Sequence, residues 1–150
     1  MIKRLTAAGA VIGVLGVTVG GFAQAPLAHS CSVSDKQFIS VAQVNVAALG
    51  AWSEDYVKGE AESSEVIAEA RAAAKRVAGT APTDPSLSTT RALMKAMFTE
   101  YGRAIAADAH HHNAGRYMYR AYGLANFARD VLVQAEPALR ARGCDVGPLL

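Results

Sequence analysis

Two cysteines, Cys31 and Cys144, stand near the two ends of everything that follows an apolar N-terminal stretch. Joined, they close almost the whole folded chain into one loop. Any fold for this sequence must therefore bring residues 31 and 144 within a few ångströms of each other. In the chain-entropy account, a closure over about 100 residues contributes about 4.7 kcal/mol. No Cys-x-x-Cys spacing marks a redox centre, so the pair reads as a structural staple formed in an oxidising space.

The stretch before Cys31 has the composition of a signal peptide. Lys3 and Arg4 supply a basic start, and Leu5 to Ala25 carries no charge. Pro26 disfavours a cut directly after Ala25, which places cleavage between about residues 28 and 30. The expected organisation is a signal peptide over residues 1–30 and one helical domain over 31–150, secreted or held in the cell-envelope space. The competing reading is a retained membrane anchor, because the uncharged run approaches the roughly 20 apolar residues that span a bilayer. Once the leader is cut, no stable membrane insertion is expected. The full chain has 15 basic and 13 acidic side chains, a formal charge of +2, and loss of Lys3 and Arg4 balances it. A balanced domain has no general attraction to a phosphate backbone, so no nucleic-acid partner is expected.

Apolar residues recur at helical spacing in four stretches. From Asp35 to Lys58, the residues Phe38, Val41, Leu49, Trp52 and Tyr56 share one stripe with Asn45, and Ser34 is placed to cap the first turn. From Ala61 to Ala78 the face is small: Val66, Ile67, Ala70, Ala74 and Val77, with Gly79 to end it. Asp84 followed by Pro85 is a helix start, and Leu93, Met94, Met97, Phe98, Tyr101, Ala104 and Ile105 continue that helix toward His112. Asn113-Ala114-Gly115 turns the chain, and Tyr117, Ala121, Leu124, Ala128, Val131, Leu132, Ala135 and Leu139 form the fourth face. Pro137 is a point of kinking or interruption there.

Four such helices with short connections make an all-α, antiparallel up-down four-helix bundle closed by one disulfide. An even number of alternating helices returns the chain to the end where it began, as the cysteines require. The alternative, three long helices with the second segment an irregular crossover, sets the termini at opposite ends. The bundle also puts the second-to-third connector at the cysteine end and the histidine-rich turn at the other.

No nucleophile elbow, zinc-protease helix, phosphate loop, haem-attachment or calcium-loop motif occurs, and nothing marks the chain as an enzyme. Glu100, with Arg103 and Lys95 nearby, reads as a solvated helix residue. The densest chemistry is Asp108-Ala109-His110-His111-His112. On a continuous helix Asp108 and His112 project on one face and can share a metal, or the carboxylate can orient the imidazole. A haem is the other cofactor option, with His111 or His112 as axial ligand and Tyr101 or Tyr117 as an oxygen donor. Tyr117, Tyr119 and Tyr122 cannot all share one face, so some aromatic surface stays outside beside Arg116 and Arg120, a composition suited to contact with a partner. The expectation is a secreted binding or protein-interaction module. Its candidate site is Asp108, His111, His112, Tyr117 and Tyr119, with Asn45 and Tyr101 as secondary positions. Neither the identity of the protein or small-ligand partner nor any cofactor is legible.

Overall fold

The computed structural model describes residues 30–150, and the signal segment expected over residues 1–30 falls almost wholly outside that range. The described residues form α1 (Val33–Lys58), α2 (Ser63–Ala78), α3 (Pro85–Ala109), α4 (Gly115–Ala141) and a last 3-10 turn at Gly147–Leu149. This is the all-α bundle that the periodicity predicts, closed by a Cys31–Cys144 disulfide with Cα atoms 5.1 Å apart.

Local chemistry sets the helix starts. Ser32, rather than Ser34, caps α1: its hydroxyl accepts from the Asp35 N–H at 3.0 Å, and the Asp35 carboxylate accepts from the Ser32 N–H at 3.4 Å. A cap must reach the amide three residues on, and Ser34 already lies inside the first turn. Asp84 caps α3, accepting from the N–H groups of Ser86 and Leu87 at 2.8 and 3.1 Å, with Pro85 in the first turn where a missing N–H costs nothing. Gly59 ends α1 at φ 75°, a left-handed backbone that glycine takes without a Cβ clash. The α4 helix continues through Pro137 to Ala141 without interruption.

The predicted stripes pack as one core. Phe38 of α1, Val66 and Val77 of α2, Leu87 and Phe98 of α3, and Leu132 and Leu139 of α4 are buried. Each of these side chains contributes roughly 1.5–3 kcal/mol by leaving water. The α3 helix is central, packed along both α2 and α4. Small residues bring α2 and α3 close: a Cβ added at Gly102 would lie 3.4 Å from the Ala70 Cβ. No residue of α1 comes within 8 Å of α4, Cα to Cα; the 3-10 turn contacts both and sits across the seam. Val146, just ahead of that turn, is buried.

The connector and both termini meet at one end. Asp35 accepts from the Thr83 N–H at 2.7 Å, the Asp84 N–H at 3.0 Å and the Thr83 hydroxyl at 3.0 Å. Asp84 pairs with the Arg142 guanidinium, and the Arg142 carbonyl accepts from the Cys31 N–H at 2.7 Å. At the opposite end the Tyr56 hydroxyl donates to Asp108 at 2.8 Å. No helix among the described residues is long and apolar enough to cross a membrane.

Two stability measurements probe this end. Cys144→Ser opens a loop with a sequence separation of 113; it should lower the melting temperature by an amount equivalent to about 4 kcal/mol while far-ultraviolet circular dichroism stays helical. Loss of helicity at room temperature would show that the apolar stripes do not supply the main cohesion. Asp35 carries a second signature. Burial raises its pKa, but bonds from the Asp84 N–H, the Ser32 hydroxyl and the N–H and hydroxyl of Thr83 outweigh that effect and hold it below the ordinary carboxylate value. A lowered folded pKa means stability present above the unfolded value and lost as pH falls through the folded one. Urea unfolding at stepped pH should therefore show the wild type weakening below about pH 4, and Asp35→Asn, less stable at neutral pH, should show a shallower acid loss. Equal acid slopes would remove Asp35 from that role.

Candidate functional site

The α3–α4 turn is where the sequence concentrates its polar chemistry, and its geometry differs from a continued helix. Ala109 is the last residue of α3. The His111 N–H then bonds the Asp108 carbonyl at 2.9 Å and the His112 N–H bonds the Ala107 carbonyl at 2.8 Å. His111 takes φ 54°, the one non-glycine positive φ among the described residues. This is a Schellman closure with histidine at the position usually held by glycine. Because α3 stops there, Asp108 and His112 are not one helical turn apart, and the shared-face arrangement does not form. The expectation of a helix to His112 fails because satisfying the last carbonyls through a left-handed residue ends the helix three residues earlier.

The candidate side chains then separate. Asp108 turns to α1 and accepts from Tyr56. That bond, more than burial, lifts the Tyr56 phenol above its ordinary pKa, because ionising it would lose the donor and place two negative charges together. His112 and Tyr117 do meet, with His110, Arg103, Asn113 and Arg116, around a hollow of about 450 Å³; Asp108, His111 and Tyr119 do not line it. The His110 and His112 rings lie 6.3 Å apart, centroid to centroid, and all three histidines are exposed. The Arg116 guanidinium sits 4.4 Å over the Tyr117 ring and also donates to the Tyr117 hydroxyl. Among the described residues, three metal-ligating side chains converge only at Cys31, Asp35 and Cys144, where the disulfide occupies both sulfurs. Asp108, His111 and His112 are not brought together as a set of three neighbouring ligand atoms.

The secondary positions are tied to neighbours. Asn45 is buried; its Nδ2 donates to the Val41 carbonyl at 2.6 Å and its Oδ1 accepts from Arg76 Nε at 2.6 Å. The same Arg76 pairs with Glu69, so Asn45 joins α1 to a charged pair on α2. The Tyr101 hydroxyl donates to Ser53 Oγ at 2.6 Å, linking α3 to α1.

Two features carry more than the sequence reading gave them. Tyr119 and Tyr122 are 80% and 67% exposed. With Asn126 and Val133, both exposed, they fall within one sector of about 60° on α4, outside the buried row of Ala121, Ala128, Leu132 and Leu139. Glu100 is the other. Its side chain is only 13% exposed, and its Oε2 is buried with no hydrogen-bond partner. Its place at the margin of the α3 face hid this, because periodicity ranks distance from the core and not which helix covers the margin. No protein-family model, no curated protein and no solved structure matches the chain.

The strained histidine gives a direct test of what the turn is built for. His111→Gly removes the left-handed Cβ penalty and should raise the urea midpoint by the equivalent of about 1 kcal/mol. A fall in stability would mean that the imidazole makes contacts that outweigh its backbone strain.

Proposed function

We propose that this chain is exported, folds where disulfides form, and acts as a non-catalytic binding module whose contact surface is the outward face of α4. The carrying observation is the exposure of Tyr119 and Tyr122 on one stripe of a helix whose other face is already committed to the core. Large aromatic side chains held on a rigid helix lose little entropy on binding and dominate interface energetics. Arg116 and Arg120 lie within a turn of Tyr119, adding the other residue type enriched at such surfaces. Export is supported by the basic start and uncharged run of the N-terminus and by the disulfide, a bond that persists in oxidising compartments.

The test starts from the protein as its own cell exports it. Intact mass of the exported chain should correspond to a start between residues 29 and 31, with no free thiol. A photo-reactive residue at Tyr122 should cross-link a discrete partner in the exported fraction. For the isolated partner, the Tyr119→Ser, Tyr122→Ser double change should weaken binding roughly tenfold or more. Val44→Ser, on an exposed position of α1, should leave binding unchanged. Equal binding by the double variant, with its circular dichroism intact, would remove the α4 face from this role.

A further inference from the structure

The helices themselves do not close the seam between α1 and α4. Under the 3-10 turn lies a cavity of about 350 Å³, walled by Val46 of α1, Met94 and Met97 of α3, Leu132 of α4 and the segment Pro148–Leu150. Its floor belongs to the core: Thr90, Met94, Ala128 and Leu132 all line it and are buried. The Thr90 hydroxyl already donates to the Ser86 carbonyl at 2.9 Å, so the floor asks for no polar partner. Neither Tyr119 nor Tyr122 lines the cavity, which is therefore separate from the proposed contact surface.

Size and shape restrict the occupant. An apolar cavity of about 150 Å³ takes a benzene ring, and small-molecule sites run from roughly 300 to 1,000 Å³. The lining on α4 extends from Ala125 to Leu132, a run of about two turns or roughly 10 Å. Two methionines in the wall, Met94 and Met97, can repack around a flexible body.

One charge completes the description. Arg129 is the single charged side chain of the lining, is exposed, and forms no ion pair among the described residues. Its Nε donates to the Leu150 carbonyl at 3.1 Å, the one hydrogen bond that ties Pro148–Leu150 to a helix among the described residues. A guanidinium has five donors, and its bonds to a carboxylate are roughly twice as strong as bonds between neutral groups. A carboxylate therefore outcompetes that carbonyl. A cation would meet Arg129 with no acidic side chain in the lining to offset it.

We infer that this cavity binds a straight-chain carboxylic acid of roughly eight to twelve carbons. The chain lies on Met94, Met97 and Leu132, the carboxylate takes Arg129 from the Leu150 carbonyl, and Pro148–Leu150 acts as the strap that lifts to admit it.

Titration of the disulfide-closed protein with octanoate, decanoate and dodecanoate below their micelle concentrations, followed by calorimetry and amide chemical shifts, tests this. Saturable binding of at least one acid is expected, with shifts concentrated at Ala125, Leu132, Leu149 and Leu150. Acetate lacks the chain and decan-1-ol lacks the charge, and each should bind roughly tenfold or more weakly than decanoate. Arg129→Gln should weaken decanoate by a similar factor and leave decan-1-ol unchanged. Ala125→Leu fills the cavity from a half-buried position and should abolish binding of the acid. Arg129, being exposed, can be changed without touching the core and decides the matter if Ala125→Leu does not fold. Absence of saturable binding for all three acids, decan-1-ol binding as tightly as decanoate, undiminished decanoate binding in Arg129→Gln, or shifts centred on Tyr119 and Tyr122 would overturn the inference.

Discussion

Asp35 sits in the first turn of α1 with 4% of its surface exposed, and two separate parts of the chain, Ser32 and the Thr83-Asp84 connector, donate to it. It completes the capping box of its own helix, holds the N–H groups of Thr83 and Asp84, and so fixes the α2–α3 connector. Asp84 then caps α3 and pairs with Arg142 beyond the end of α4, whose carbonyl holds the Cys31 N–H. Taking a carboxylate out of water costs several kcal/mol unless hydrogen bonds replace the lost hydration. Here those replacements come from two segments, the start of α1 and the α2–α3 connector, so the charge is satisfied only when the two are docked together. The disulfide brings the ends together; the carboxylate sets how they meet.

Anchoring the chain at one end changes what the rest of the bundle needs. The α1 and α4 helices are fastened where Cys31 meets Cys144, yet their backbones stay apart along their length, with the terminal 3-10 turn in the seam. The side-chain ties of α1 in the distal half run to α3, through Tyr101 to Ser53 and Tyr56 to Asp108. The α4 helix is therefore held by its packing on α3 and by its C-terminal end. Its outward face has no structural duty, and the exposed tyrosines stand there.

Much of this architecture is readable from spacing. Helix number, the α3 start at Asp84-Pro85, the principal buried rows and the meeting of Cys31 with Cys144 follow from period, caps and parity, because each is a local signal repeated over many residues. Three features are not readable in that way. The Schellman closure at His111 uses histidine where the signal for a stop is glycine, so periodicity runs on past the true helix end. The open seam between α1 and α4 depends on the terminal 3-10 turn, which no periodic pattern announces. Glu100 looks like a solvated residue because Arg103 and Lys95 surround it in sequence, while its side chain is mostly buried and its Oε2 has no partner among the described residues. At His111 an atypical residue in a standard role decides the outcome, and at the seam a segment far off in sequence does.

Polar satisfaction separates the two halves of the molecule. At the cysteine end the buried polar groups Asp35, Asp84 and Thr80 all have partners: Asp35 bonds across to the α2–α3 connector, Asp84 pairs across to Arg142 as well as capping α3, and the Thr80 hydroxyl donates to the Val77 carbonyl at the end of α2. Away from it the chain tolerates a histidine in a left-handed backbone and a carboxylate oxygen without a donor. Such departures cost stability individually and persist only where the surrounding fold overdetermines them. A bundle cross-linked at one end, with a carboxylate that ties the start of α1 to the α2–α3 connector, has the reserve to hold them. The same bond that closes the chain thus leaves α4 and the α3–α4 turn free to carry groups that the fold itself does not use.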